Sequence, residues 1–176
     1  MEKIIYDATN NPITGDALMR FNNEISNGNI GKYDIRLSEH FLLSEFVKTR
    51  YYQRYNYITH LAVANNIQLG VRHILEPLRK YVAKPIIISS GFRTLITNAA
   101  VGGKPKSQHT KGCAADIKFS PEHSPADYIL MRNYIQSTLP FDQLLTSDKG
   151  HWLHVSWTKE PYCAGGRHQA IFGYYV

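Results

Sequence analysis

Two short segments constrain the fold of this chain more than anything else in it: residues 113–119, reading CAADIKF, and residues 152–157, reading WLHVSW. Each alternates between two kinds of side chain with a period of two, the pattern of a half-buried β-strand. In the first, Ala115, Ile117 and Phe119 face one side while Ala114, Asp116 and Lys118 face the other. In the second, Leu153, Val155 and Trp157 oppose Trp152, His154 and Ser156. Paired as neighbours, two such strands hold a carboxylate and an imidazole rigidly on one polar face. Residues 107–112 follow GGKP and show no apolar periodicity, so they read as an exposed loop from which His109 reaches in.

Two imidazoles and one carboxylate are donors that suit zinc, and a catalytic zinc takes three protein ligands while a fourth position stays open for water. His109, Asp116 and His154 supply that set. A lone histidine is more often a surface or packed residue than a ligand. His40, His60, His73, His123 and His168 have no comparable setting, and surface or helix positions are expected for them.

The segment SQHTKGCAAD, residues 107–116, fits the pattern SxHxxGxAxD at every specified position. In this the chain resembles the zinc D-Ala-D-Ala carboxypeptidase family, whose relatives include phage endolysin peptidases and the zinc-binding signalling domain of hedgehog proteins. ILEPLRKYV is similar to the family's long helix, IIISSGFRT to its strand and SGxR turn, NAAVGG to the segment before the first ligand, and FDQLL with WLHVSW to its closing strands. The resemblance spans roughly residues 37–160. It implies an α+β fold of the hedgehog/DD-peptidase type, a small antiparallel sheet with flanking helices and a zinc site. It also implies that Arg93 of the SGFR turn reaches the active site and holds the substrate carbonyl or the developing oxyanion. Ser107 and Gln108 flank the first ligand and are expected to hydrogen-bond either the ligands or the substrate.

The position of the general base departs from the family. Many members carry an acidic residue three places before the last histidine ligand, where it takes a proton from the attacking water and returns one to the leaving amine. Here that place is His151, and the nearest acidic alternative is Asp148. An imidazole can move protons near neutral pH, but strand parity sets His151 opposite His154 unless the strand begins after it or bulges. The assignment stays open between His151 and Asp148.

Length and charge bound the remaining possibilities. A chain of 176 residues suits one domain with a useful core; residues 1–36 read as an arm or elaboration and residues 37–176 as the peptidase-like domain. The formal charge of +6 favours anionic partners such as nucleic acid or a bacterial wall. The basic residues are scattered and no nucleic-acid-binding motif is present, so nucleic acid is not expected as a partner. No apolar run approaches the roughly 20 residues that span a bilayer, so no membrane insertion is expected. The opening MEKIIYDATNN lacks a secretory apolar region. Synthesis in the cytoplasm, with action on the wall after release or carriage in a phage particle, is the corresponding expectation. Cys113 and Cys163 are the only cysteines; no disulfide is expected, and Cys113 reads as a small packing residue.

Along the chain, Ser38 and Ser44 are candidate helix caps and a helical pattern runs on through LSEFVKTRYYQRYN. Ile67, Val71, Ile74, Leu75, Leu78 and Val82 mark a longer helix with a kink or junction at Pro77. Residues 86–89 read as a buried strand, 125–138 as a helix opened by Ser124, and 142–147 as another strand. Taken with the resemblance, the expected activity is zinc-dependent hydrolysis of peptidoglycan stem or cross-link peptides near D-amino-acid linkages, in a phage lytic enzyme or virion-associated domain. The competing expectation is a non-catalytic, zinc-containing module that binds the cell wall or serves a structural role.

Overall fold

The computed structural model describes residues 4–119, 124–147, 152–158 and 166–174. Strand β1 (Ile4–Asp7) pairs in parallel with β2 (Tyr33–Arg36), and helix α1 (Gly15–Ser26) connects them. The α1 N-terminus is closed by Thr14 Oγ1, which accepts from the Ala17 amide at 3.2 Å. Its buried stripe, Ala17, Leu18, Phe21 and Ile25, follows helical spacing and enters the same apolar cluster as the rest of the domain. Residues 4–36 are thus packed onto the body that follows them.

Helix α2 (Leu43–Val47) stops far short of the helical pattern in the sequence. Lys48 turns extended, Tyr52 is left-handed, and only a 3-10 turn at Gln53–Tyr55 follows. Neither serine caps α2. Ser44 lies inside the helix and donates its hydroxyl to Asp34 Oδ2 at 2.6 Å, while Ser38 Oγ donates to Glu76 Oε2 at 2.6 Å. Helix α3 (Leu61–Gly70) runs through a π-turn (Val71–Leu75) into α4 (Glu76–Val82). The wide turn, in which the Glu76 amide donates to the Val71 carbonyl, precedes Pro77, whose ring cannot tolerate an ordinary α-helical turn behind it. Pro77 therefore marks the expected junction.

Strand β3 (Ile86–Ser90), helix α5 (Leu95–Ala100), β4 (Ala114–Phe119), helix α6 (Pro125–Thr138), β5 (Gln143–Ser147), β6 (Trp152–Ser156) and β7 (Gln169–Tyr174) complete the chain order. Ser124 and Asp127 form a reciprocal capping box at the start of α6. The sheet order is β3-β4-β6-β5-β7; the first three pairings are antiparallel and β7 joins β5 in parallel. β3 is an edge strand with alternating exposure, so it is half-buried where a fully buried strand was expected.

One face of this sheet presents Ala115, Ile117, Leu144, Leu153 and Val155 to a core shared with Ile67, Val71 and Ile74 from the long helix and Met131 and Ile135 from α6. Cys113 is buried against it; Cys163 lies outside the described residues. The opposite face carries Asp116, Lys118, Trp152 and His154, as the two-residue period requires. Among the described residues no helix is long and apolar enough to cross a membrane.

Candidate metal centre

Asp116 on β4 stands directly opposite His154 on β6 in the antiparallel register. The third group, His109, comes from a one-turn 3-10 helix (Gln108–Lys111) that ends at Gly112 in the left-handed conformation, φ +69°. Gly112 is required there twice over, because a Cβ would also meet the Val63 carbonyl oxygen at 2.6 Å. One donor atom from each of His109, Asp116 and His154 lies within 4.8 Å of the others. His109 Nε2 is 3.3 Å and His154 Nδ1 2.8 Å from the same oxygen, Asp116 Oδ1.

The hydrogen bonds around this cluster fix which atoms face it. His109 Nδ1 lies 2.6 Å from the Gly91 carbonyl oxygen, and a carbonyl can only accept, so Nδ1 carries a proton and Nε2 presents its lone pair to the cluster when the ring is neutral. Gly91 cannot be replaced without displacing this acceptor, since a Cβ there would meet the Phe46 Cα and carbonyl oxygen at 2.6 Å. Burial by itself would raise the pKa of Asp116. The charge and hydrogen bond of His109, with those of His154, outweigh burial and hold the carboxyl well below the usual carboxylate range. Asp116 is thus an anion throughout the physiological pH range.

Arg93 closes the other side. Its Nη2 donates to Asp116 Oδ2 at 2.9 Å, its Nε donates to Ser90 Oγ at 2.9 Å, and its backbone amide donates to the His109 carbonyl at 3.2 Å. Oδ1 of Asp116 therefore faces the imidazoles while Oδ2 is held by the guanidinium. The donor chemistry fits zinc: tetrahedral bonds of about 2.05 Å imply donor separations of about 3.3 Å, which is the His109–Asp116 spacing, while His154 and Asp116, at the hydrogen-bonding distance of 2.8 Å, would move apart by about 0.5 Å to share an ion. A cleft of about 340 Å³ opens over the three groups, bordered by Ser89, Arg93, Lys118, Leu145 and Trp152.

A profile described as Peptidase M15 matches residues 40–156, most of the chain. The chain belongs to the peptidase M15 family. This is the zinc D-Ala-D-Ala carboxypeptidase family that the 107–116 segment resembles, and M15 membership supports a zinc-dependent metallopeptidase acting on a peptide substrate. No curated protein matches the chain.

The remaining site residues of this M15 chain are placed as follows. Gln108 turns away from the cleft; its Nε2 donates to Asp142 Oδ2 at 3.0 Å and to the Trp157 carbonyl at 3.1 Å, while its Oε1 accepts from Arg167. Its neighbour Ser107 uses its carbonyl to accept from both the amide and the hydroxyl of Thr110, closing the turn that carries His109. His151 and Asp148 lie outside the described residues. Sequence reasoning did not single out Ser90 or the Asp142–Arg167 pair, and it gave Trp152 a face but no role. Trp152 shares strand parity with His154 and was readable from that alone. Arg167, whose Nη2 lies 2.6 Å from Asp142 Oδ2, had no signal in the sequence because its partner is distant in the chain.

Proposed function

We propose that this M15 chain is a zinc peptidase that hydrolyses peptidoglycan stem or cross-link peptides near D-amino-acid linkages, as a carboxypeptidase or an endopeptidase, in a phage lytic enzyme or a domain carried on the virion. The reading rests on one observation above all: His109 Nε2, Asp116 Oδ1 and His154 Nδ1 converge at the floor of a cleft beside the Arg93 guanidinium. These three residues are the proposed zinc ligands. When bound, zinc supplies Lewis-acid polarisation of a peptide carbonyl and makes water acidic enough to attack near neutral pH.

The protein's own groups do the rest. Arg93 lines the cleft and carries charge-assisted donors for an oxygen that gains negative charge as the carbonyl is attacked. His151 or Asp148 takes the proton from the attacking water and delivers one to the leaving amine. Gln108 and Ser107 hold the turn that carries His109, through Asp142 and Thr110 respectively.

Purified protein incubated with defined muropeptides, with and without zinc, tests the reading when products are identified by mass. Zinc-dependent cleavage is expected, abolished by His151→Ala or by Asp148→Asn according to which group moves the proton. No cleavage by the zinc-loaded protein, with a gain only in His151→Glu, would replace the peptidase by a non-catalytic wall-binding or structural module.

A further inference from the structure

A second depression, of about 440 Å³, adjoins the cleft of the candidate metal centre and shares Ser89, Arg93 and Lys118 with it. Ile87 and Val101 contribute apolar lining, and Lys48, Arg50 and Lys118 contribute cations. No carboxylate lines it, and among the described residues none pairs with Lys48, Arg50 or Lys118. Arg93 differs from these three, since Asp116 already engages it.

The cationic wall is held in place by buried hydrogen bonds. Asn56 is fully buried; its Nδ2 donates to the Val47 carbonyl at 2.8 Å and the Phe92 carbonyl at 3.0 Å, and its Oδ1 accepts from the Thr94 amide at 2.9 Å. Gln53 Oε1 accepts from the Thr49 amide at 2.7 Å. The segment carrying Lys48 and Arg50 is thereby tied to the turn that carries Arg93, so wall and cleft form one preorganised surface. Lys118 lies two residues along β4 from Asp116, a distance of about 7 Å on a strand. Lys118 borders both depressions, so the second pocket is continuous with the cleft.

We propose that this second pocket binds a carboxylate of the peptide substrate. The proposal rests on the peptidase reading for its substrate and on charge complementarity and continuity with the cleft for its site. Lys48 and Arg50, the cations not shared with the metal cleft, supply the anion preference, and the apolar lining accepts the aliphatic part of the same residue.

The test titrates zinc-loaded protein with a dye-labelled stem pentapeptide, L-Ala-γ-D-Glu-L-Lys-D-Ala-D-Ala, read by fluorescence anisotropy in the cold, while product formation is followed by mass in parallel samples warmed for turnover. Two further peptides carry a primary amide in place of either the D-Glu α-carboxylate or the C-terminal carboxylate. One of the amides is expected to bind about fivefold more weakly, the scale of exposed charge pairs. Lys48→Ala/Arg50→Ala is expected to bind all three peptides equally, and Lys48→Arg/Arg50→Lys to keep the preference. Equal binding of the three peptides to wild type, or a preference that survives Lys48→Ala/Arg50→Ala, would overturn the proposal. Selective binding in the cold, with no product in parallel samples warmed for turnover, would defeat the stem-peptide peptidase reading and leave the pocket standing; cleavage without selectivity would do the reverse.

Discussion

Replacing Arg93 by alanine removes two side-chain hydrogen bonds from a charged donor, one to Asp116 Oδ2 and one to Ser90 Oγ, both at 2.9 Å. Hydrogen bonds to charged groups contribute about 1.5–3 kcal/mol each when buried. The Arg93 and Asp116 side chains keep 17% and 22% of their exposure, so water replaces part of what is lost. For the metal-free protein this puts the combined cost near the low end, about 2 kcal/mol, or about 4–8 °C in the thermal midpoint of a chain of this size. With zinc present a second effect follows. Asp116 loses the partner that orients it, and loss of such a partner typically weakens metal binding by about 10–100-fold. Turnover is expected to fall by about a further hundredfold if the guanidinium also holds the oxyanion. Thermal unfolding of the metal-free protein and zinc competition against a chromophoric chelator measure the first two effects separately. Arg93→Lys is expected to recover zinc affinity only in part, since an ammonium cannot serve Ser90 and Asp116 from one planar fork. An Arg93→Ala variant with an unchanged midpoint and unchanged zinc affinity would refute this account of the site.

Two other substitutions test the supports of the site. Gly91→Ala forces a Cβ against the Phe46 backbone, which cannot yield cheaply, and a loss of about 1–3 kcal/mol in urea unfolding is expected; wild-type stability would show that the approach is not limiting. Arg167→Ala is expected to destabilise the protein in a pH-dependent way. Burial would raise the Asp142 pKa, but the hydrogen bonds and charge of Arg167, with the Gln108 amide, hold it below its ordinary 3.8. A lowered carboxyl pKa contributes stability above the unfolded value and loses it as pH falls through the folded one. The stability gap between wild type and Arg167→Ala should thus be full at neutral pH and shrink below pH 3.8; an equal gap under both conditions would contradict the coupling.

The parts of the fold that were legible in the sequence are those whose determinants are local. Ser124 and Pro125 announce the start of α6 from adjacent positions, and the alternation in 113–119 and 152–157 places Asp116 and His154 on one face because a strand has no other choice. Pro77 marks a junction for an equally local reason. The helical pattern after Val47 fails because side chains further along the same segment and one amide from another element claim the carbonyls that a longer helix would use. Val47 O accepts from Gln53 and Asn56 side chains, and Phe46 O accepts from the Phe92 amide of another element. Ser38 and Ser44 read as caps, yet each finds a carboxylate outside its own turn, Glu76 and Asp34. The same logic separates the donors of the site from its supports. His109, Asp116 and His154 sit in short motifs, whereas the Gly91 carbonyl that orients His109 and the Arg167 that steadies Gln108 act across the fold.

Zinc content measured by atomic absorption after equilibrium dialysis, for wild type and for Asp116→Ala side by side, tests the central claim most directly. About one zinc per chain is expected in wild type, with most of it lost in the variant, because the substitution removes the only anionic donor of the three. Equal zinc in the two proteins would take Asp116 out of the ligand set and contradict the metal centre as described.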